Sequence, residues 1–254
     1  NFLIRKDVVD GIVAAGDIQA DDIVLEIGPG IGTLTQGLAE TGASVTAVEV
    51  DRQLIRVLAK TLAGYDNVRV IHGDILKLDI SREITAEKLK VIANLPYYIT
   101  TPIIMMLLEK RFPIDILVTM VQKEVAERMV AKPGGKEYGA LSVAVQYYTE
   151  ASIAFLVPPS SFMPAPSVES AVIRCKVREK PPVDVLDERA FFRIAKAGFA
   201  QRRKTFSNCL KTAGLSKELI EQVLEKAAID GGRRGETMSL EEFAAVANAW
   251  VELR

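Results

Sequence analysis

The chain holds a single histidine, His72, and only two cysteines, Cys175 and Cys209. Two isolated thiols make neither a disulfide framework nor a zinc site, which fits a reducing cytosol. One histidine removes His-rich metal centres and leaves a Ser-His-Asp hydrolase hanging on a residue that ends a strand-like run. No metal is expected. No stretch approaches the ~20 apolar residues of a membrane span, and nothing resembles a signal peptide, so a cytoplasmic protein without a membrane partner is expected. The chain opens on Asn1 rather than Met, so residues upstream, and any targeting they carry, stay open. A net charge of −1 excludes a uniformly basic surface. Locally, however, acid is missing. Between Glu188 and Glu218 stand Arg189, Arg193, Lys196, Arg202, Arg203, Lys204, Lys211 and Lys217 with no carboxylate among them. Such a segment suits a polyanion, although solvated helix faces have the same composition.

What is present is a core and an alternation. At 254 residues and 49% hydrophobic, the chain can fill one large domain and a small one. Strand-like runs at 23–27, 44–48, 68–72, 89–93 and 114–121 alternate with helical patterns at 7–15, 34–41, 52–63 and 123–130. Thr101-Pro102 reads as the cap and first residue of a further helix. A helix at 139–148 and strands at 151–157 and 168–177 complete this part. The order implies a mostly parallel sheet covered on both faces, with ligands at the carboxyl ends of its strands. Lys180-Pro181-Pro182 marks a linker, so the expected domains are 1–179 and 180–254, the second wholly helical. Within it, Asp187 caps one helix and Ser239 with Glu242 forms a capping box for the last.

Gly28-Pro29-Gly30-Ile31-Gly32 joins the first strand of the sheet to a helix, a turn that lets a ligand approach the backbone closely. Alone it serves NAD, S-adenosylmethionine or merely a tight turn. Glu49, at the end of the next strand, is placed like a ribose-hydroxyl acceptor. Asp74 can accept from an adenine amino group, with Ile75 against the ring. Asn94-Leu95-Pro96-Tyr97 follows the buried run Val91-Ile92-Ala93. The amine of adenine is a poor nucleophile because its lone pair is conjugated into the ring. Acceptors for its two hydrogens, the Asn94 side-chain oxygen and the Leu95 carbonyl, help the nitrogen become tetrahedral. Pro96 stiffens the elbow. Tyr97 offers a stacking face for an extruded base, and Phe162, in a proline-rich loop, is either a second aromatic jaw or a hydrophobic plug. Lys132 to Lys136 reads as an exposed, mobile loop near the substrate entrance. A NAD-dependent oxidoreductase and a non-catalytic RNA-binding factor are the rival readings. The first leaves the Asn94 and Phe162 loops without a job.

Assembled, these motifs resemble the rRNA adenine dimethyltransferase family, in particular its bacterial KsgA branch. The resemblance rests on Asn1-Phe2-Leu3, Glu26-Ile27-Gly28-Pro29-Gly30, Glu49-Val50-Asp51, Gly73-Asp74, Asn94-Leu95-Pro96-Tyr97, Phe162-Met163-Pro164-Ala165-Pro166, Gln201-Arg202-Arg203-Lys204 and Arg234-Gly235-Glu236. It implies a Rossmann-like methyltransferase sheet with a small all-α C-terminal domain. It also implies an S-adenosylmethionine site at Asn1, Leu3, Gly28, Gly30, Glu49, Asp74, Ile75 and Asn94, and a target adenine at Tyr97 and Phe162. Arg202, Arg203 and Lys204 become the RNA-binding residues. The implied reaction is dimethylation of two adjacent adenines near the 3′ end of small-subunit rRNA. The implied partner is an assembly intermediate of the small ribosomal subunit, met by a monomeric enzyme.

Overall fold

In the computed structural model, which describes residues 2–254, the chain forms two compact units. The first runs to Ala126 and resumes at Glu150–Arg178; the second comprises Glu127–Thr149 and Glu179–Arg254.

The first unit alternates as its periodicity predicts. Its elements are β1 (Phe2–Leu3), α1 (Lys6–Ala15), β2 (Ile23–Ile27), α2 (Thr33–Ala39), β3 (Ser44–Glu49), α3 (Arg52–Thr61) and β4 (Val68–His72). After these come α4 (Ile80–Glu83), β5 (Leu89–Ala93), α5 (Tyr97–Glu109), β6 (Ile114–Gln122) and the start of α6 (Lys123–Val130). Beyond α7 (Ala140–Tyr148), the chain returns to this unit for most of β7 (Thr149–Val157), then β8 (Phe162–Met163) and β9 (Ser170–Val177). The main sheet has the order β4-β3-β2-β5-β6-β9-β7. From β4 to β6 every pairing is parallel, and β9 runs antiparallel to β6. The order turns back between β2 and β5, and the crevice outside the carboxyl ends of such a pair is where open α/β sheets take ligands.

The run Val91, Ile92 and Ala93 is buried on both faces, as a central parallel strand requires. Burial of each Val, Leu or Ile side chain contributes roughly 1.5–3 kcal/mol. The helix after the Asn94 loop begins five residues earlier than the Thr101-Pro102 pair predicts: Tyr97 opens it, and Pro102 lies inside. The Pro96 elbow leads straight into the helix, and the Thr100 hydroxyl donates back to the Pro96 carbonyl at 3.0 Å, closing the first turn with a side chain. No helix is long and apolar enough to cross a membrane, among the described residues.

The second unit is helical. To α7 and the rest of α6 it adds α8 (Glu188–Gly198), α9 (Phe206–Leu210), α10 (Lys217–Lys226) and α11 (Leu240–Glu252). Asp187 caps α8 by accepting from Arg189 and Ala190, and Ser239 with Glu242 forms the predicted capping box of α11. Tyr147 stacks on Phe191 at 4.8 Å and Tyr148 on Phe192 at 5.5 Å, which places residues 127–149 with this unit rather than with the sheet. The Arg234-Gly235-Glu236 segment crosses α8 backbone to backbone: a Cβ on Gly235 would stand 2.1 Å from the Gly198 carbonyl oxygen. Only glycine permits that approach.

Candidate active site

The glycine turn, Glu49, Asp74 and Asn94 all leave the carboxyl ends of neighbouring parallel strands, so the sheet alone brings them together. They line a cavity of ≈ 390 Å³ shared with Leu3, Glu26, Ile75 and Leu95. Gly28, Gly30 and Gly32 have φ of 69°, 60° and 94°, in the left-handed region that side chains disfavour. Space imposes a second demand. A Cβ on Gly28 would meet Leu95 Cδ2 at 2.9 Å, and one on Gly30 would press the Phe2 ring at 3.3 Å.

Glu49 is buried and its carboxylate is fixed by main chain. Oε2 accepts from the Gly30 N–H at 3.2 Å and Oε1 from the Asp51 N–H at 2.9 Å. Each oxygen keeps a further acceptor direction toward the cavity. Asp74 is set in the same way, Oδ1 accepting from the Leu76 N–H at 3.0 Å. The Asn94 side chain has no hydrogen-bond partner among the described residues, and the Leu95 carbonyl receives only a long 3.5 Å contact from Thr100. A half-buried amide without a protein partner among the described residues, beside an available carbonyl on the cavity lining, suits a ligand with two N–H groups.

Glu26 is the residue that motif reading left without a role. It sits inside an otherwise apolar strand, 1% exposed, with neither carboxylate oxygen hydrogen-bonded. Burial pushes its carboxyl up to about 8; the Thr35 hydroxyl, nearby but outside hydrogen-bond geometry, opposes the rise, and the charge of Glu49 adds to it. At neutral pH it is mostly a neutral acid on the cavity wall. The signal available in the sequence was one charge in a buried strand immediately before a glycine turn.

The aromatic pair does not line the cavity. Phe162 is buried at 5% exposure in the core beside Leu3, whose backbone it pairs through β1 and β8. Tyr97 turns toward β9, its hydroxyl 2.7 Å from Ser170 Oγ. The tyrosine that does reach the cavity is Tyr98, at 82% exposure. Asn1 lies outside the described residues.

In the helical unit, Arg202 is held internally, its guanidinium donating to the Lys136 carbonyl and lying 3.8 Å from Glu236. The Lys132–Lys136 loop is held by that bond and by one from the Gly134 N–H to the Glu236 carbonyl at 2.7 Å, in place of the free loop expected. Arg193 lies over the Trp250 ring at 5.2 Å and donates to the Ala213 carbonyl. Arg189, Lys196, Arg203 and Lys204 are exposed and have no acidic partner among the described residues. Lys204 borders a shallow recess with Gln201, Asn208, Lys211 and Thr212, a wall of donors without a carboxylate.

Residues 1–246 match the model of a family described as Ribosomal RNA adenine dimethylase. A relative from Alkaliphilus metalliredigens, named Ribosomal RNA small subunit methyltransferase A, is 52% identical over 97% of this chain and 88% of its own. Among solved structures, a dimethyladenosine transferase from Plasmodium falciparum superposes with a TM-score of 0.82 at 27% identity, over 97% of this chain and 96% of that one. The 23S rRNA methyltransferase ErmE gives 0.73 at 25% identity, over 99% of this chain and 100% of that one.

Proposed function

Because the chain belongs to the ribosomal RNA adenine dimethylase family, we propose that it places two methyl groups on each of two adjacent adenines near the 3′ end of small-subunit rRNA. The small-subunit target follows the 52% identical relative rather than the 25% identical large-subunit enzyme. The partner is an assembly intermediate of the small ribosomal subunit, met in the cytoplasm by a monomer.

The residues fit S-adenosylmethionine, which supplies a methyl group on a cationic sulfur. Gly28 and Gly30 leave room for a ligand against bare backbone. Glu49 suits ribose hydroxyls, Asp74 and Ile75 an adenine edge and face, and Leu3 and Asn94 the rest of the cavity wall. No metal is invoked.

The observation that carries the reading is the unpartnered Asn94 amide beside the Leu95 carbonyl. Asn94 Oδ1 accepts one hydrogen of the target amine and the Leu95 carbonyl the other, which favours a pyramidal nitrogen and takes its lone pair out of conjugation with the ring. Catalysis is then positioning and exclusion of water. The methylated nitrogen is acidic enough to lose its proton to water. For the second transfer the amine has one hydrogen left, so one of the two acceptors suffices and the first methyl must rotate into the space the other vacates. Tyr97 and Phe162 hold elements that carry the site, one tying α5 to β9 and the other pairing with the cavity residue Leu3. In the helical unit, Arg203 and Lys204 grip RNA phosphates, with Arg202 anchoring their loop.

Asn94→Ala should lower single-turnover methylation of undermethylated small subunits by roughly 10²–10³, the usual effect of deleting one preorganised hydrogen-bonding group. Labelled cofactor and mapping of the modified nucleotides give the readout. Full activity in the variant overturns the reading.

A further inference from the structure

We propose that Tyr98 is the stacking surface for the nucleobase next to the one being methylated. The inference rests on the adenine-methylating reading and deepens it, because it concerns how the flanking nucleotide is recognised.

Tyr97 and Tyr98 open α5, and neighbours in a helix point about 100° apart. Tyr97 is used structurally through Ser170, so Tyr98 is carried away from the sheet. It is the most exposed of the large apolar side chains, at 82%, against 66% for Val50 and 62% for Met163. It has no aromatic or hydrogen-bonding partner among the described residues, yet it borders the cavity. Pro102 has no N–H to give the Tyr98 carbonyl, so the helix is one backbone bond short at this residue. A single exposed aromatic is ordinary, but one that also borders a binding cavity offers a free flat face to a base arriving there.

Exposure also decides which nucleobase. The target base must reach Asn94, which is half-buried, whereas Tyr98 stands farther out at 82% exposure. The strand that delivers that base leaves the cavity over its rim. Pro96 and Tyr98, just past Asn94 in the chain, border it there. The first base outside the cavity therefore meets the Tyr98 face. Stacking is tolerant of base identity, so Tyr98 adds affinity and orientation more than sequence choice.

The test uses the full chain and a small-subunit rRNA fragment carrying 2-aminopurine beside the target adenine. With the native protein, 2-aminopurine fluorescence should be quenched on binding. Tyr98→Ala should remove the quenching and weaken RNA binding roughly 5- to 150-fold, the span that one base on one aromatic ring is worth. Tyr98→Phe and Tyr98→Trp should restore both, which a merely structural hydroxyl would not. Calorimetric titration with S-adenosylhomocysteine separates a cofactor role. A loss of its affinity in Tyr98→Ala as large as the loss for RNA overturns the inference. So does native quenching and RNA affinity in Tyr98→Ala while the native enzyme methylates normally, an outcome that leaves the wider reading standing. If the native enzyme fails to methylate adenine at all, the wider reading falls and this inference with it.

Discussion

Two charged residues are buried on adjacent strands of one sheet, and they are treated in opposite ways. Lys90, on β5, pairs across from Val24 near the amino ends of the strands. Its ammonium lies 2.7 Å from Asp22 and donates to the Asp17 carbonyl. Glu26, two residues further along β2, has no hydrogen-bond partner among the described residues. At the amino edge the fold satisfies its charge. At the carboxyl edge, beside the cavity, it fixes Glu49 through two backbone N–H groups but leaves Glu26 without a hydrogen bond among the described residues, with the half-buried Asn94 amide also unpartnered there. Burying a polar group unpaired costs free energy that a scaffold has no reason to carry. Such groups sit where a ligand is to complete them.

The difference can be broken at its stronger end. Lys90→Met strands Asp22 and the Asp17 carbonyl, and breaking a buried pair typically costs about 3–5 kcal/mol. Because Asp22 keeps 23% of its side-chain surface in water, the loss should fall toward the lower figure. Denaturant unfolding measures it, and a neutral result would mean the pair contributes specificity alone.

Glu26 should give a pH-dependent effect. A carboxyl raised to about 8 in the folded protein holds its proton after the unfolded chain has released its own near 4.5. Stability is therefore full below the unfolded value and declines as pH rises toward 8, by an amount on the order of a few kcal/mol. Glu26→Gln removes the titration, so its stability should stay flat between pH 5 and 8. A constant offset of roughly 1–3 kcal/mol is expected for the buried amide. Parallel slopes for the two proteins would place the proton elsewhere.

The comparison also marks what local sequence can convey. The strands of the main sheet, the glycine turn, the Asp187 cap and the Ser239–Glu242 box are each set within a few residues, and all were legible; the short β1–β8 pair, which joins distant residues, was not. So was the convergence of Gly28, Glu49, Asp74 and Asn94, because alternation of strand and helix fixes which sheet edge they reach. What depends on distant partners was not. Pro102 looks like a helix start until Thr100 closes an earlier turn. Phe162 is indistinguishable from a free aromatic until Leu3 pairs with it, and Tyr97 from Tyr98 until Ser170 takes one hydroxyl. Residues 127–149 carry no mark that sends them to the helical unit; the rings of Phe191 and Phe192 do that.

The smallest stability effects are expected where charge is neither buried nor paired. Arg203→Ala and Lys204→Ala should each change unfolding free energy by no more than about 0.5 kcal/mol, since both side chains are solvated and make no ion pair among the described residues. Their effect belongs to RNA. If each neutralises one phosphate, each variant should lower the slope of log affinity against log salt by about one, without altering which nucleotides are methylated. Arg202→Ala is the internal contrast, because its guanidinium already serves the Lys136 carbonyl and Glu236. It should lower stability more than its two neighbours and shift the salt slope less. A slope change at Arg202 equal to that at Lys204 would mean the internal bonds yield to phosphate, and would erase the distinction between a residue that shapes the loop and one that grips the ligand.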